Sequence, residues 1–269
     1  MSDFDFTGSF AQVYDRYLVP MDFAPYARRL AKQVNALAPR RVLETGAGTG
    51  VVTRELARIL PSEVAITATD LNEPMLALAR ANINEERIHW KQADALDLPF
   101  PNCEFDVVVC QFSVMFFPDK LKGFRETFRV LRPGGCFLFN VWDSFQANAN
   151  RALTIAANIV GSAVGRDPLT LLNPPYYDEW QIRSDLVAAG FTEIELDKVS
   201  EPSCAASARE AATIVCHGSM LRSAIEAHDP SLLEQITDKV TEALLSRFGT
   251  GPVEGTTRAL LATAERPRR

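Results

Sequence analysis

Two carboxylates and a run of alternate glycines carry most of the chemical information in these 269 residues. Gly46, Gly48 and Gly50 follow the apolar stretch Arg41-Val42-Leu43-Glu44-Thr45 and open an amphipathic run, the pattern of a strand, a tight turn and a helix start. Glycine in such a turn admits backbone angles closed to other residues and lets a ligand approach the main chain. The first turn of the following helix offers free N–H groups and the positive end of a dipole. Asp70 ends the next apolar run, twenty residues after Gly50. In a doubly wound sheet the ends of the first two strands are neighbours, so this carboxylate can accept both hydroxyls of a ribose held over the turn. An Asp at a strand end can also merely cap the next helix, but Asn72 fills that role here. Asp94 lies twenty-four residues further on, after a third apolar run. It can take the exocyclic amine of an adenine, with Leu71, Met75 and Leu96 as apolar walls for the ring.

The elements that must position these groups follow from periodicity. Apolar runs near 41–45, 64–69, 87–91, 105–111 and 135–142 alternate with helical patterns, as in parallel βαβ units. Val51, Val52, Leu56 and Leu60 give one helix an apolar face, and Met75, Ala79 and Ile83 another, with Pro74 in its first turn. A helix from about 119 to 131 is stopped by Pro133-Gly134-Gly135. Ahead of the first strand, Phe10, Val13, Tyr14 and Tyr17 share one side of a helix. After the fifth strand the pattern changes to a helix at 151–164 and a loop with Pro168, Pro174 and Pro175, which predicts an insertion over the strand ends. A helix at 178–189 ending at Gly190, a strand at 191–199, helices around 207–227 and 230–247 and a strand at 257–264 complete the chain.

Bulk properties bound the function. With 47% hydrophobic and 23% charged residues the composition is that of a globular protein. A net charge of −6 argues against affinity for a nucleic-acid backbone. Arg28-Arg29 and Arg266-Pro267-Arg268-Arg269 are the basic clusters, and both read as solvated. Cys103, Cys110, Cys136, Cys204 and Cys216 are odd in number and lack zinc-site spacing, so no metal is expected and the thiols read as reduced, in a cytoplasmic protein. The start Met1-Ser2-Asp3-Phe4-Asp5 is not a secretory signal, and Val107 to Phe117 is too short to span a bilayer.

The ordered motifs resemble the class I S-adenosylmethionine-dependent methyltransferases, in particular the group of ubiquinone and menaquinone C-methyltransferases. The matching pieces are Val42 to Gly50, Ala68-Thr69-Asp70-Leu71-Asn72-Glu73-Pro74-Met75, Ala93-Asp94-Ala95-Leu96-Asp97-Leu98-Pro99-Phe100, Phe105 to Cys110 and Leu131-Arg132-Pro133-Gly134-Gly135. The resemblance implies an α/β, doubly wound, seven-stranded sheet with its last strand antiparallel and a helical lid insertion. It implies one domain over 1–269, with an N-terminal helical cap at 1–39, a cofactor-binding core at 40–142, a lid at 143–180 and the rest of the sheet with extra helices at 181–269. Carried over residue by residue, Glu44, Gly46, Ala47, Gly48 and Gly50 would lie beside the methionine moiety of S-adenosylmethionine and Asp70 would hold its ribose. Asp94 and Ala95, flanked by Leu71, Met75 and Leu96, would hold the adenine. Gln111, with Phe112 beside it, would meet the amino-acid end, and Tyr17 would close over the cofactor. The family often has Cys or Ser where Ala47 stands, a harmless departure if backbone approach is what matters. Nicotinamide oxidoreductases usually carry G-x-G-x-x-G, whereas here the third glycine comes one residue early.

Methyl transfer needs chiefly alignment and exclusion of water, and a base only where the acceptor must lose a proton. Candidates for that base are Asp143, Tyr14, Tyr17 and His217, although His217 reads more readily as structural. Phe112, Phe116, Phe117, Trp142, Phe145, Tyr176, Tyr177 and Trp180 cluster where a lid would be. Those not needed for core packing suggest an apolar or aromatic small-molecule acceptor. Asn173-Pro174-Pro175-Tyr176 spells a signature used by amide-methylating enzymes at the end of their fourth strand, but here that place holds Gln111-Phe112-Ser113-Val114. A proline-rich loop is the better account of it. The rival reading from another class is a protein that binds S-adenosylmethionine without catalysis. Monomer and homodimer are equally open.

Overall fold

The computed structural model describes residues 9–172 and 175–268, so the chain start at Met1 to Asp5, the Asn173-Pro174 pair and Arg269 lie outside the described residues, as does the Phe10 side chain. Seven strands form one sheet: β1 Arg41–Thr45, β2 Ala65–Asp70, β3 Ile88–Gln92, β4 Phe105–Gln111, β5 Leu131–Trp142, β6 Thr192–Ala205 and β7 Val253–Glu265. Their order is β3-β2-β1-β4-β5-β7-β6. The pairs β1/β2, β1/β4, β2/β3 and β4/β5 are parallel, and β7 runs antiparallel to β5. This is the expected doubly wound sheet with an antiparallel strand near its end. The strand order reverses at β1, whose carboxyl end therefore opens a crevice where ligands of such sheets bind. β4, covered on both faces, is buried along its whole length.

By the density of its internal contacts the chain divides into two compact units, one of residues 26–142, 176–199 and 259–269, the other of 1–25, 143–175 and 200–258. The second joins described residues ahead of 26 to two later segments.

In numerical order the helices are α1 Ser9–Val13, α2 Ala24–Ala36, α3 Val51–Ile59, α4 Glu73–Asn82, α5 Lys120–Val130, α6 Ala152–Val164, α7 Pro168–Leu171, α8 Glu179–Ala189, α9 Ala208–His217, α10 Leu221–His228 and α11 Leu233–Phe248. Their ends follow local chemistry. The Asn72 side chain accepts the Met75 N–H at 3.1 Å to cap α4, Asp119 caps α5 and Asp178 caps α8, which Gly190 ends at φ 104°. In the second unit α6 is buried nearly all round, among apolar side chains of α9, α10 and α11.

Four local expectations change. The stretch Tyr14–Phe23 is π-helical, with the Ala24 N–H reaching back to the Val19 carbonyl and Pro20 inside it. The 3.6-residue face drawn through Tyr14 and Tyr17 therefore does not hold. The helix expected at 207–227 breaks at Gly218-Ser219-Met220, where Ser219 Oγ bonds the Val215 carbonyl at 2.5 Å and takes the Leu221 N–H at 3.2 Å. Pro133-Gly134-Gly135 is an irregularity inside β5 and not a turn before it. Leu131 already pairs with Phe105, and the register then jumps to Cys136 opposite Val107. Arg266, read from sequence as part of a solvated end, donates to the Phe128 and Leu131 carbonyls at 2.7 Å and caps the last turn of α5.

Candidate active site

All three turn glycines are left-handed, with φ of 67° at Gly46, 56° at Gly48 and 83° at Gly50, but for different reasons. A methyl group on Gly46 would overlap Ser113 Oγ and lie 2.5 Å from Ser113 Cβ, and one on Gly50 would lie 2.7 Å from Ile83 Cδ1. Those two positions are filled by the chain's own packing. At Gly48 the same methyl group would meet no atom of the described residues within 4 Å. Gly48 is therefore where the turn offers its backbone to a ligand.

Asp70 holds that turn in place. Its Oδ2 accepts the Gly48 N–H at 2.7 Å and its Oδ1 accepts the Asn72 N–H at 2.8 Å, while the Ala47 N–H reaches the Thr69 carbonyl at 2.9 Å. Burial pushes the Asp70 carboxyl up, opposed by the N–H groups of Asn72, Gly48 and Leu71. The two carboxylate oxygens together offer about four acceptor sites, so capacity to accept a ligand hydroxyl remains beside these three donors. The Ala93 N–H donates to the Asp70 carbonyl at 3.0 Å, which brings the Asp94 turn beside Asp70. Asp94 is exposed and its Oδ1 accepts the Leu96 N–H at 2.8 Å. Leu71 is 66% exposed, unusual for leucine, whereas Met75 is buried and Ala95 and Leu96 are half-buried.

Glu44 is 1% exposed, and its Oε2 accepts the Thr53 hydroxyl at 2.5 Å. Burial pushes its carboxyl up to about 8, against the Thr53 bond and reinforced by the charge of Asp70. At neutral pH it is mostly protonated. Cys110, behind the turn, is fully buried and pushed up to about 12 by that burial, which leaves it an inert thiol.

Gln111 and Phe112 are both buried at the end of β4. Phe112 stacks on Trp142 at 3.8 Å and 14°, with Tyr26 edge-on to both rings, so these two aromatic residues of the expected lid are core. Tyr176 is likewise buried, its hydroxyl donating to Asp185 at 2.7 Å, while Trp180 is 84% exposed. Three residues that the sequence did not single out complete the arrangement: Thr53 on Glu44, Ser113 against Gly46, and Asn140. An asparagine amid Phe137-Leu138-Phe139 and Val141-Trp142 was a legible signal.

Asp143, Tyr14, Tyr17 and His217 belong to the second unit. Asp143 accepts the Ser144 N–H at 2.6 Å and lies 3.5 Å from Arg258 Nε. Tyr14 and Tyr17 are half-buried against that unit's own core. His217 Nε2 lies 3.2 Å from Thr237 Oγ1, and burial lowers its pKa despite Glu234 nearby.

A family profile described as a methyltransferase domain matches residues 42–135, from the start of β1 into β5. That stretch is similar to a methyltransferase domain. The chain is 40% identical over 112 residues to the demethylmenaquinone methyltransferase of Deinococcus radiodurans, a match over 41% of this chain and 46% of that one. The chain thus spans less than half the length of this curated relative. Among solved structures it is similar to the YcgJ protein of Bacillus subtilis, with a TM-score of 0.58 and 19% identity over 90% of this chain and 98% of that one. It is also similar to the [4+2]-cyclase SpnF, with a TM-score of 0.54 and 22% identity over 89% and 80%. At those identities the likeness is one of fold, and the cyclase illustrates that fold alone does not name a reaction. S-adenosylmethionine is the cofactor of this domain class. The residues of the matched stretch fit it: no described atom within reach of a methyl group at Gly48, acceptor capacity left on Asp70, and an exposed leucine beside that carboxylate.

Proposed function

We propose that the chain transfers a methyl group from S-adenosylmethionine to a small, apolar or aromatic metabolite. The observation that carries this reading is Asp70 bonded to the Gly48 N–H at 2.7 Å beneath the open face of the turn, the arrangement a ribose needs. Asp70 would take the ribose hydroxyls. Asp94 and Ala95 would hold the adenine between Leu71, Met75 and Leu96. Glu44, the turn from Gly46 through Ala47 to Gly50, Gln111 and Phe112 would surround the amino-acid end. When bound, the cofactor supplies a methyl group already electrophilic on its sulfonium. The work left to the protein is to align the acceptor and exclude water.

Similarity to a demethylmenaquinone methyltransferase supports an aromatic, quinone-like acceptor. Asp143 and His217 are each engaged by neighbours, so neither is assigned as a base. Among the described residues no helix is long and apolar enough to cross a membrane, and the five unpaired thiols suit a reducing, cytoplasmic setting. The test has two stages. Calorimetric titration with S-adenosylhomocysteine checks the cofactor, and incubation of methyl-labelled S-adenosylmethionine with a metabolite extract, read by mass spectrometry, identifies the acceptor and the atom methylated. Binding with no labelled product would favour a cofactor-binding protein without catalysis. No binding would overturn both readings.

A further inference from the structure

We propose that Asn140, on β5, is a positioning residue that sets the geometry of the glycine turn through Phe112 and Ser113; the functional part of this inference rests on the cofactor reading above. Asn140 is 0% exposed and pairs in register with Gln111 across β4 and β5. Its Oδ1 accepts the Phe112 N–H at 2.9 Å, and its main-chain oxygen accepts the same N–H at 3.1 Å. Phe112 needs such a clamp. It sits at φ 49°, in the left-handed region that a bulky side chain disfavours, yet it is buried and stacked on Trp142.

That backbone conformation decides where the next residue goes. Ser113 packs so closely beneath Gly46 that no side chain fits there. A relaxed Phe112 would swing Ser113 away and remove the support on which the first residue of the turn rests. The mechanical chain therefore runs from Asn140 Oδ1 to the Phe112 backbone, to Ser113, to Gly46.

The choice of asparagine argues for this role. Its Nδ2 is buried with no acceptor among the described residues, a cost that an apolar residue in this strand would avoid. The cost is accepted where Oδ1 is required.

The test separates positioning from bulk stability. Asn140→Leu keeps the volume and deletes the acceptor, whereas Asn140→Asp keeps an acceptor oxygen. Phe124→Leu, in a ring cluster with Phe137 and Phe139, serves as a destabilised control away from the clamp. In ligand-free protein, hydrogen exchange of peptides covering 44–53 should accelerate about tenfold or more in Asn140→Leu with little change over 64–70, and Asn140→Asp should restore slow exchange. S-adenosylhomocysteine affinity should fall about tenfold or more in the Leu variant and stay within about twofold in the control. Uniform acceleration across both peptides, or turn exchange unchanged in Asn140→Leu, would overturn the proposal. If Asn140→Leu does not fold, Asn140→Ser gives the same exchange comparison, since its hydroxyl is too short to replace Oδ1. Because the exchange arm needs no ligand, it stands even if the wild-type protein fails to bind S-adenosylhomocysteine, an outcome that would overturn only the cofactor reading.

Discussion

Glu44 should make the ligand-free protein less stable as pH rises through neutrality, against the usual behaviour of carboxylates. Its carboxyl is held near 8 in the fold against a reference of 4.5. Over that interval the folded state retains a proton that the unfolded chain has lost, so folding takes up a proton and stability falls with rising pH. The limiting slope is about 1.4 kcal/mol per pH unit. The contribution is fully present below about 4.5 and gone above about 8. Other groups narrow the useful window. His217, its pKa lowered by burial, adds stability with rising pH only up to about 6.5, the reference value of its unfolded form, and Cys110, pushed up to about 12, matters only where an unfolded thiol ionises, near 9.

Between pH 6.5 and 8 Glu44 should therefore cost about 2 kcal/mol, or about 4–8 °C in Tm. Trp90, Trp142 and Trp180 all lie in the unit that contains Glu44, so urea titrations followed by tryptophan fluorescence report that unit. Glu44→Gln keeps the size and an acceptor for Thr53 but cannot ionise. Its curve should be shallower over the same window by the Glu44 contribution. Parallel slopes in wild type and variant would refute the assignment of the proton to Glu44.

Asp70→Ala should weaken S-adenosylhomocysteine binding by about 2–3 kcal/mol, the worth of charge-assisted bonds to two hydroxyls, and calorimetry reads it directly. Gly46→Ala should lower Tm sharply because the added methyl overlaps Ser113, whereas Gly48→Ala should cost only the ~1–2 kcal/mol of a left-handed alanine yet lose cofactor binding far beyond that. Thermal melts and titrations of both variants distinguish the two glycines. In the second unit Asp22 is fully buried, bonded by Arg151 at 2.7 and 2.9 Å and by Ser203 Oγ at 2.7 Å, so Asp22→Ala should destabilise by about 3–5 kcal/mol and Asp22→Leu with Arg151→Met by much less, as read from urea titrations.

The sheet was legible because its strands β1, β2 and β4 are apolar runs between clear helix patterns, and the left-handed glycine turn held by Asp70 because glycine spacing and a strand-end carboxylate mark it in residue type alone. What escaped was set by conformation. The left-handed backbone of Phe112 has no signature, since nothing in a phenylalanine announces that φ, so the sequence marks Asn140 as out of place in an apolar strand but shows neither what it holds nor the part of Ser113. The π-helical stretch was masked by a spacing that fits an ordinary helix. Strand β6 outruns its sequence estimate because it alternates half-buried and exposed residues, including Pro202, through to Ala205. Arg266 shows the same limit for charges: a guanidinium near a chain end reads as solvated until three main-chain carbonyls are found around it.

The two acids of the site meet the cost of burial differently, and that difference suits a cationic ligand. Asp70 is supplied with N–H groups from Gly48, Asn72 and Leu71, which stabilise its charged form. Glu44 has a single hydroxyl donor and the negative field of Asp70, which favour its neutral form. A ligand carrying positive charge beside the turn reverses the second balance, because it stabilises both carboxylates at once and draws the proton from Glu44. A neutral ligand of the same shape gains no such term. Binding of a cation beside Glu44 would therefore be coupled to release of the proton that the free protein keeps, and would strengthen as pH rises toward 8.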